Sequence, residues 1–254
     1  MKDIKLKSGN ILRIIQDEDP RNPRTEWDNL GTMVCWHKRY DLGDNFHKGK
    51  DARNKFDPPY EDTEEMFSEL SGLSIDLGEL SGEEYEKAYQ ELKDAAYKNA
   101  VILPLRLYDH SGITMSVGSG AHSFDPGGWD SGQVGWIFMT YAEARKNFNV
   151  DENDTVEEWH GSNKGSRISL ESVIQRVLEG EVETYDQYLT GDVYGFTVSK
   201  VITTSWINEH DLEDKKTEID EEIIDSCWGF FGSDYKTNGI LDHLDDEILE
   251  EVNT

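Results

Sequence analysis

The chain has 254 residues, of which 53 are Asp or Glu and 25 are Lys or Arg, so its formal net charge is -28. Such a charge repels nucleic acids and anionic membranes, and it attracts cations and proteins with basic grooves. No run of about 18 apolar residues exists, which excludes a predicted membrane-spanning helix. Aromatic residues make up 11% of the chain. Disordered acidic segments are poor in aromatics, so we expect a folded protein.

The predicted elements follow one another without a regular strand–helix–strand cadence. In chain order, strands are predicted at 3–7, 11–16, 31–36, 101–108, 112–117, 134–140, 194–206 and 223–231. Helices are predicted at 61–70, 83–99, 141–148, 169–189 and 240–252, with a charged linker at 209–222. Ser81 and Glu84 have the spacing of a capping box, and Pro104 indicates an edge strand or a bulge.

This order favours the α+β class, with a mainly antiparallel sheet and several acidic amphipathic helices. Apolar strands lie on both sides of every charged stretch, so we expect a single domain over residues 1–254. Acidic helical segments are expected at 57–99 and 236–254. Five tryptophans are expected in the core: Trp36, Trp129, Trp136, Trp206 and Trp228. Two cysteines and no signal peptide favour the reducing cytoplasm of a host cell.

The acid is concentrated in particular segments. Residues 57–95 hold 13 acidic and 2 basic residues, and residues 209–254 carry a net charge of -13. Residues 96–150, which contain a glycine-rich loop, are neutral overall. Adaptation to molar salt and simple solubility are alternative explanations of the acidity. The 16 lysines argue against adaptation to molar salt. The placement of the acidic residues in separate segments also argues against it, because salt adaptation favours an even acidic coating.

The sequence predicts neither a metal site nor a cofactor. Cys35 and His37 alternate in a strand, but Cys227 is far away and no zinc spacing is present. The acidic stretch that begins at Asp151 resembles the start of a calcium loop. Val156 and Ser162 stand where that loop needs glycine and glutamate.

The weak catalytic candidates lie in the neutral middle of the chain: Asp109, His110, His122 and Asp130. A histidine beside carboxylates at a strand end suits general acid–base chemistry. This pattern predicts, as an alternative function, a metal-dependent hydrolase or nuclease-like enzyme centred on Asp109, His110 and the loop 118–130. Hydrogen bonds that stabilise the loop are the simpler explanation of the same residues.

Several strings resemble a group of uncharacterised proteins that phages and mobile elements of bacteria encode. The strings lie at 27–37, 103–112, 129–135, 183–195 and 225–231. The resemblance implies a phage or mobile-element setting, and it implies no fold, reaction or catalytic residue. The chain lacks the motif of a known acidic antirestriction family.

Charge and setting together predict an inhibitor that binds a host defence protein in its basic, nucleic-acid-binding groove, as a nucleic-acid mimic. Direct binding to nucleic acid or to a membrane is not expected. A scaffold protein without catalytic activity is a further alternative. The candidate binding residues are carboxylates on the predicted acidic helices: Glu64, Glu65, Glu83, Glu84, Glu86, Asp245, Asp246, Glu247, Glu250 and Glu251.

Overall fold

The structure, a computed structural model, describes residues 1–44, 59–123, 125–151, 153–158, 164–208 and 211–252. Helices and antiparallel strands follow one another irregularly, which confirms the α+β class. The chain divides into two compact units. The first unit combines Met1–Arg21 with Gln187–Thr254, and the second is Asn22–Asp186. The assignment of residues 1–254 to a single domain stays a prediction.

The bounds of the elements follow the predicted ones closely in most places. The strands are β1 (Lys2–Lys5), β2 (Ile11–Gln16), β3 (Thr32–Cys35), β4 (Ala100–Asp109), β5 (Ile113–Val117), β6 (Ser131–Thr140), β7 (Thr155–Glu157), β8 (Arg167–Ser169), β9 (Val193–Asn208) and β10 (Asp211–Phe231). The helices are α1 (Pro23–Glu26), α2 (Thr63–Ser71), α3 (Glu83–Asn99), α4 (Tyr141–Asn147), α5 (Leu170–Thr190) and α6 (Asp246–Val252). No helix in the described ranges has the length and the apolar character needed to cross a bilayer.

The first unit is built on a four-stranded antiparallel sheet in the order β1-β2-β9-β10. The prediction of a charged linker at 209–222 is wrong, because residues 211–222 belong to β10. This strand pairs with β9 over most of the length of β10. Lys200 opposite Glu222 is one of these pairs. Glu218, Asp220, Glu221 and Glu222 are exposed, so water solvates these carboxylates while the backbone groups bond across the ribbon.

The C-terminal segment of the first unit packs its apolar residues against one face of this sheet. Phe196 and Phe230 from the strands share a core with Ile240, Leu244 and Ile248. The continuous helix predicted at 240–252 is wrong, since a short 3-10 turn over Ile240–His243 precedes α6. The main-chain carbonyl of Asp245 accepts the first helical bond of α6, and Asp is a residue that favours helix starts.

The second unit contains an antiparallel sheet in the order β3-β6-β4-β5 and the small hairpin β7-β8. All four strands predicted for the larger sheet are confirmed. Pro104 lies in a central strand rather than at an edge, and the ladder is shifted just after it, between Leu105 and Arg106. The bulge expected from proline is therefore present, and the edge position is wrong.

Helices α2 and α3 cover one face of the second sheet. Met66, Phe67 and Ala96 share a buried core with Ile102 and Phe138 of the strands. The predicted capping box at Ser81 is wrong, because the N-cap of α3 is Gly82 and no side chain caps this helix. Gly82 has φ 58, a left-handed value that glycine adopts at little cost.

Candidate functional site

Helices α2 and α3 run in the same direction, which their side-chain contacts establish at both ends. At the beginning of both helices, the Tyr85 hydroxyl donates to Glu64 Oε1 at 2.5 Å. At their other ends, Asn99 Nδ2 donates to the carbonyls of Leu70 and Ser71, both at 3.1 Å. The N-terminal turns of the two helices therefore meet.

Five of the predicted binding carboxylates lie in these two N-terminal turns, and we call them the acidic end: Glu64, Glu65, Glu83, Glu84 and Glu86. Four of them are exposed and Glu64 is half-buried. The whole stretch 59–86 contains ten carboxylates and no lysine or arginine. Parallel packing thus gathers charge that the sequence spreads along two separate helices.

The base of the acidic end is well packed. Phe67 and Leu92 are completely buried. The Phe67 ring packs edge-on against Tyr89, and the ammonium of Lys93 lies 5.5 Å from the Phe67 centroid. Residues held in this way lose little further freedom on binding, which favours a defined arrangement of the nearby carboxylates.

The pKa values of two tyrosines beside the acidic end are raised. The hydrogen bond to Glu64 is the main cause that raises the pKa of Tyr85 to about 12, followed by burial and by the charges of Glu64 and Glu86. Burial raises the pKa of Tyr89 as well, and the charges of Glu64 and Asp62 add to it. Each shift opposes the addition of one more negative charge at this place.

The same first-turn carboxylates also stabilise their own helices. Asp62 caps α2 by accepting from the Glu65 amide at 2.9 Å, and Glu65 accepts from the Glu61 amide at 2.6 Å. Negative groups at helix N-termini interact favourably with the helix dipole. Local helix stabilisation is therefore a second role of the acidic end, and a functional test has to separate the two.

The other five predicted binding residues lie in the first unit, at and near α6. Asp245, Asp246 and Glu247 are exposed. Glu251 Oε2 instead accepts from the Ser8 amide at 3.0 Å, and Glu250 also takes part in an interaction within the chain. Part of this second acidic segment therefore forms bonds within the chain, and the bond of Glu251 to Ser8 helps to hold the C-terminal segment on the sheet.

The weak catalytic candidates lie near a cavity of about 320 Å³ in the second unit, at the end of β4. Asp109 and Asp130 line this cavity, and Arg39 and Trp129 stand beside them. The Asp109 carboxylate forms an ion pair with Arg39 and accepts from the Tyr40 hydroxyl at 3.1 Å. Asp109 therefore ties the turn after β3 to the end of β4.

His110 and Asp130 form a pair at the same place, with 3.0 Å between His110 Nδ1 and Asp130 Oδ2. The Asp130 carbonyl also accepts from the Asp109 amide at 2.7 Å. A histidine oriented by a carboxylate suits acid–base chemistry, but here the side chain of His110 is 62% exposed to water and that of Asp130 is 42% exposed. These contacts explain the residues as supports of the strand end.

His122 lies apart from that pair, in the loop 118–130. Its Nε2 is 3.3 Å from Ser116 Oγ, and its amide donates to Ser131 Oγ at 2.9 Å. Burial lowers the pKa of His122, and the charge of Arg106 adds to the effect. Asp125 organises the loop by accepting from the Ser131 hydroxyl at 2.7 Å, which is the main cause that lowers the pKa of Asp125.

Within the described ranges, no group of three or more His, Cys, Asp or Glu side chains could hold a metal ion. The hydrolase alternative therefore stays a prediction.

Sequence reasoning missed two features. The core assignment of Trp129 is wrong, because this side chain is 89% exposed, and Trp228 is 47% exposed. Arg24 is buried, and it bonds to Asp44, 20 residues away, and to Glu181, 157 residues away. Such separations leave no signal in a single sequence.

A scan against protein-family models and searches of curated proteins and of solved structures found no match to this chain. The resemblance to phage and mobile-element proteins therefore stays a prediction.

Proposed function

We propose that this protein binds the basic, nucleic-acid-binding groove of a host protein and inhibits it by occupying the place of the nucleic acid. The acidic end is the proposed binding surface. In the phage or mobile-element setting that the resemblance implies, the target is a defence protein of the host.

The meeting of two acidic helix starts on a packed base is the observation that carries this proposal. A groove that binds duplex DNA is built to meet one negative charge per roughly 1.7 Å of helix axis. Scattered carboxylates on mobile chains match such a groove poorly. Several carboxylates held together on two packed helices supply a local field of the required sign.

The range of this field limits which partner charges take part. Exposed charges are screened over roughly 8–10 Å at physiological salt, so only lysines and arginines close to the acidic end contribute. Binding should therefore weaken steeply as salt rises. It should also compete with nucleic acid, because the same basic residues serve both ligands.

The test begins with the full-length protein immobilised and exposed to a nuclease-treated lysate of the bacterial host, followed by elution in salt steps. The comparison variant is Glu83→Gln with Glu84→Gln and Glu86→Gln. Three exposed ion pairs contribute roughly 0.2–1 kcal/mol each, so we expect partner affinity to fall roughly 3- to 150-fold. Circular dichroism checks that α3 is intact, since these carboxylates also support the helix start.

The matched control removes the same charge from the first unit, by Asp245→Asn with Asp246→Asn and Glu247→Gln. This control should bind the partner as the wild type does. If only the control loses binding, the C-terminal segment carries the function and the assignment to the acidic end is wrong. If neither variant loses binding, or if the purified partner holds a DNA duplex and this protein together, the mimic proposal is wrong.

A further inference from the structure

Strand β10 forms an open edge of the first sheet. In the sheet order it pairs with β9 alone among the described strands. Strand β2 stops covering β9 at Ser199, which lies opposite Ile11, so the hairpin beyond that point is a two-stranded ribbon. An edge strand presents unpaired N–H and C=O groups that a further strand can bond.

The two faces of this edge differ in chemistry over residues 218–224, which we call the edge segment. Glu218, Asp220 and Glu222 point to one face, the one that carries Lys200 and Ile202 on β9. All three carboxylates are exposed. A neighbouring strand would therefore meet a row of negative charges on this face.

The opposite face of the edge segment is apolar. Ile219 is 67% exposed and Ile223 is 63% exposed. Glu221 also points to this face, but it accepts from Arg13 Nη1 at 3.0 Å, and Arg13 is held in turn by Asp3. The one carboxylate of the edge segment on this face is thus engaged in an internal ion pair, in which Arg13 is shared with Asp3.

We propose that the edge segment binds an extended segment of another protein as an additional β-strand. The occupant alternates basic residues with branched apolar ones. Its lysines or arginines lie beside Glu218, Asp220 and Glu222, and its apolar side chains cover Ile219 and Ile223. Main-chain bonds supply affinity in this mode of recognition, while alternate side chains supply specificity.

A second copy of this chain is the less suitable occupant. Pairing two edge segments antiparallel would set the row of Glu218, Asp220 and Glu222 against the same row of the other copy. Like charges directly opposite one another destabilise a strand pair. The carboxylates that suit a basic partner therefore also discourage self-association at this edge.

The experiment uses the full-length protein and a fluorescent, acetylated and amidated peptide of sequence Lys-Val-Lys-Val-Lys-Val-Lys, followed by fluorescence polarisation. A peptide with the same residues in two blocks, four lysines and then three valines, has the same charge without the alternation. We expect the alternating peptide to bind at least about tenfold more tightly. Equal binding would mean that charge alone attracts the peptide, and would overturn the proposal.

Main-chain pairing is tested by two further peptides that carry N-methyl groups on alternate residues. One peptide is methylated at the lysines after the first, and the other at the valines. Successive N–H groups of a strand point to opposite sides, so only one of the two sets faces β10. Strand addition predicts that one peptide loses binding and the other keeps most of it. Loss in both, or in neither, contradicts it.

The location of the peptide-binding site is tested by Asp220→Asn with Glu222→Gln, which should weaken binding of the alternating peptide roughly 2- to 30-fold. The matched control, Asp242→Asn with Glu247→Gln, removes two exposed charges elsewhere in the first unit and should change little. The triple glutamine variant of the acidic end should bind the peptide normally, so this inference and the proposed function fail independently. A dimer of the wild type that Ile219→Ser disrupts would assign the edge to a second copy instead.

Discussion

Replacing Arg24 with methionine removes the cation from a buried network of the second unit while keeping a long side chain. The Arg24 side chain is 1% exposed. Its Nε and Nη2 donate to Asp44 at 2.7 and 2.8 Å, and its Nη1 donates to Glu181 at 2.7 Å. Its Nη2 also donates to the Gly31 carbonyl at 2.7 Å. These bonds join α1, the segment before β3 and helix α5.

The expected loss of stability follows from the two carboxylates that the substitution leaves without a counterion. Burial opposes the charge of Arg24, but the bonds to Asp44 and Glu181 outweigh burial and raise the pKa of Arg24. Without the guanidinium, two carboxylates that are only 13% and 15% exposed lose their counterion. Breaking a buried pair in this way costs about 3–5 kcal/mol, a large part of a total stability of about 5–15 kcal/mol. We expect the melting temperature to fall by about 6–20 °C.

Thermal and urea unfolding, followed by circular dichroism, measure this loss. Arg145→Met is the matched control, because Arg145 pairs with Asp154 at the surface and should cost about 1 kcal/mol or less. The cost of Arg24→Met should also shrink in a background of Asp44→Asn with Glu181→Gln, where no charge is left unpaired. A cost below about 1 kcal/mol, or an equal cost in both backgrounds, would refute the reasoning.

Two further predictions concern the sheet and the loop of the second unit. Gly135→Ala should destabilise the protein by about 1–3 kcal/mol in urea unfolding, because the added Cβ would lie 1.9 Å from the Val34 carbonyl oxygen. Gly132→Ala, which has open space, should cost clearly less, and equal costs would contradict the close approach. Asp125→Ala should speed protease cleavage within the loop 118–130 roughly fivefold to tenfold, since the Ser131 hydroxyl loses its acceptor. The pKa of Asp125 is lowered from 3.8, so its support is complete above that pH and is lost as the pH falls below it. An acid protease should therefore cleave wild type and variant more alike at lower pH.

Much of the fold follows from local pattern. The apolar-rich stretch from Ile11 to Gln16 and the apolar run from Val101 predict strands, and both are present. The face of α3 that carries Leu92 and Ala96 predicts a buried helix, and both residues are completely buried. These elements are short-range, so period and turn chemistry are sufficient to predict them. The abundance of carboxylates at the starts of α2 and α3 is likewise visible in the sequence alone.

The tertiary structure decided where those elements meet. Composition indicated a linker at 209–222, but pairing with β9 satisfies the backbone of this stretch and makes it a strand. Nothing local indicates that α2 and α3 run in the same direction, because the contact between Glu64 and Tyr85 depends on how both helices pack on the sheet. Arg24 is charged in the sequence and buried in the fold, because its partners arrive from distant parts of the chain. Local pattern determines the elements and their charge, whereas long-range packing determines which charges are gathered, paired or left exposed.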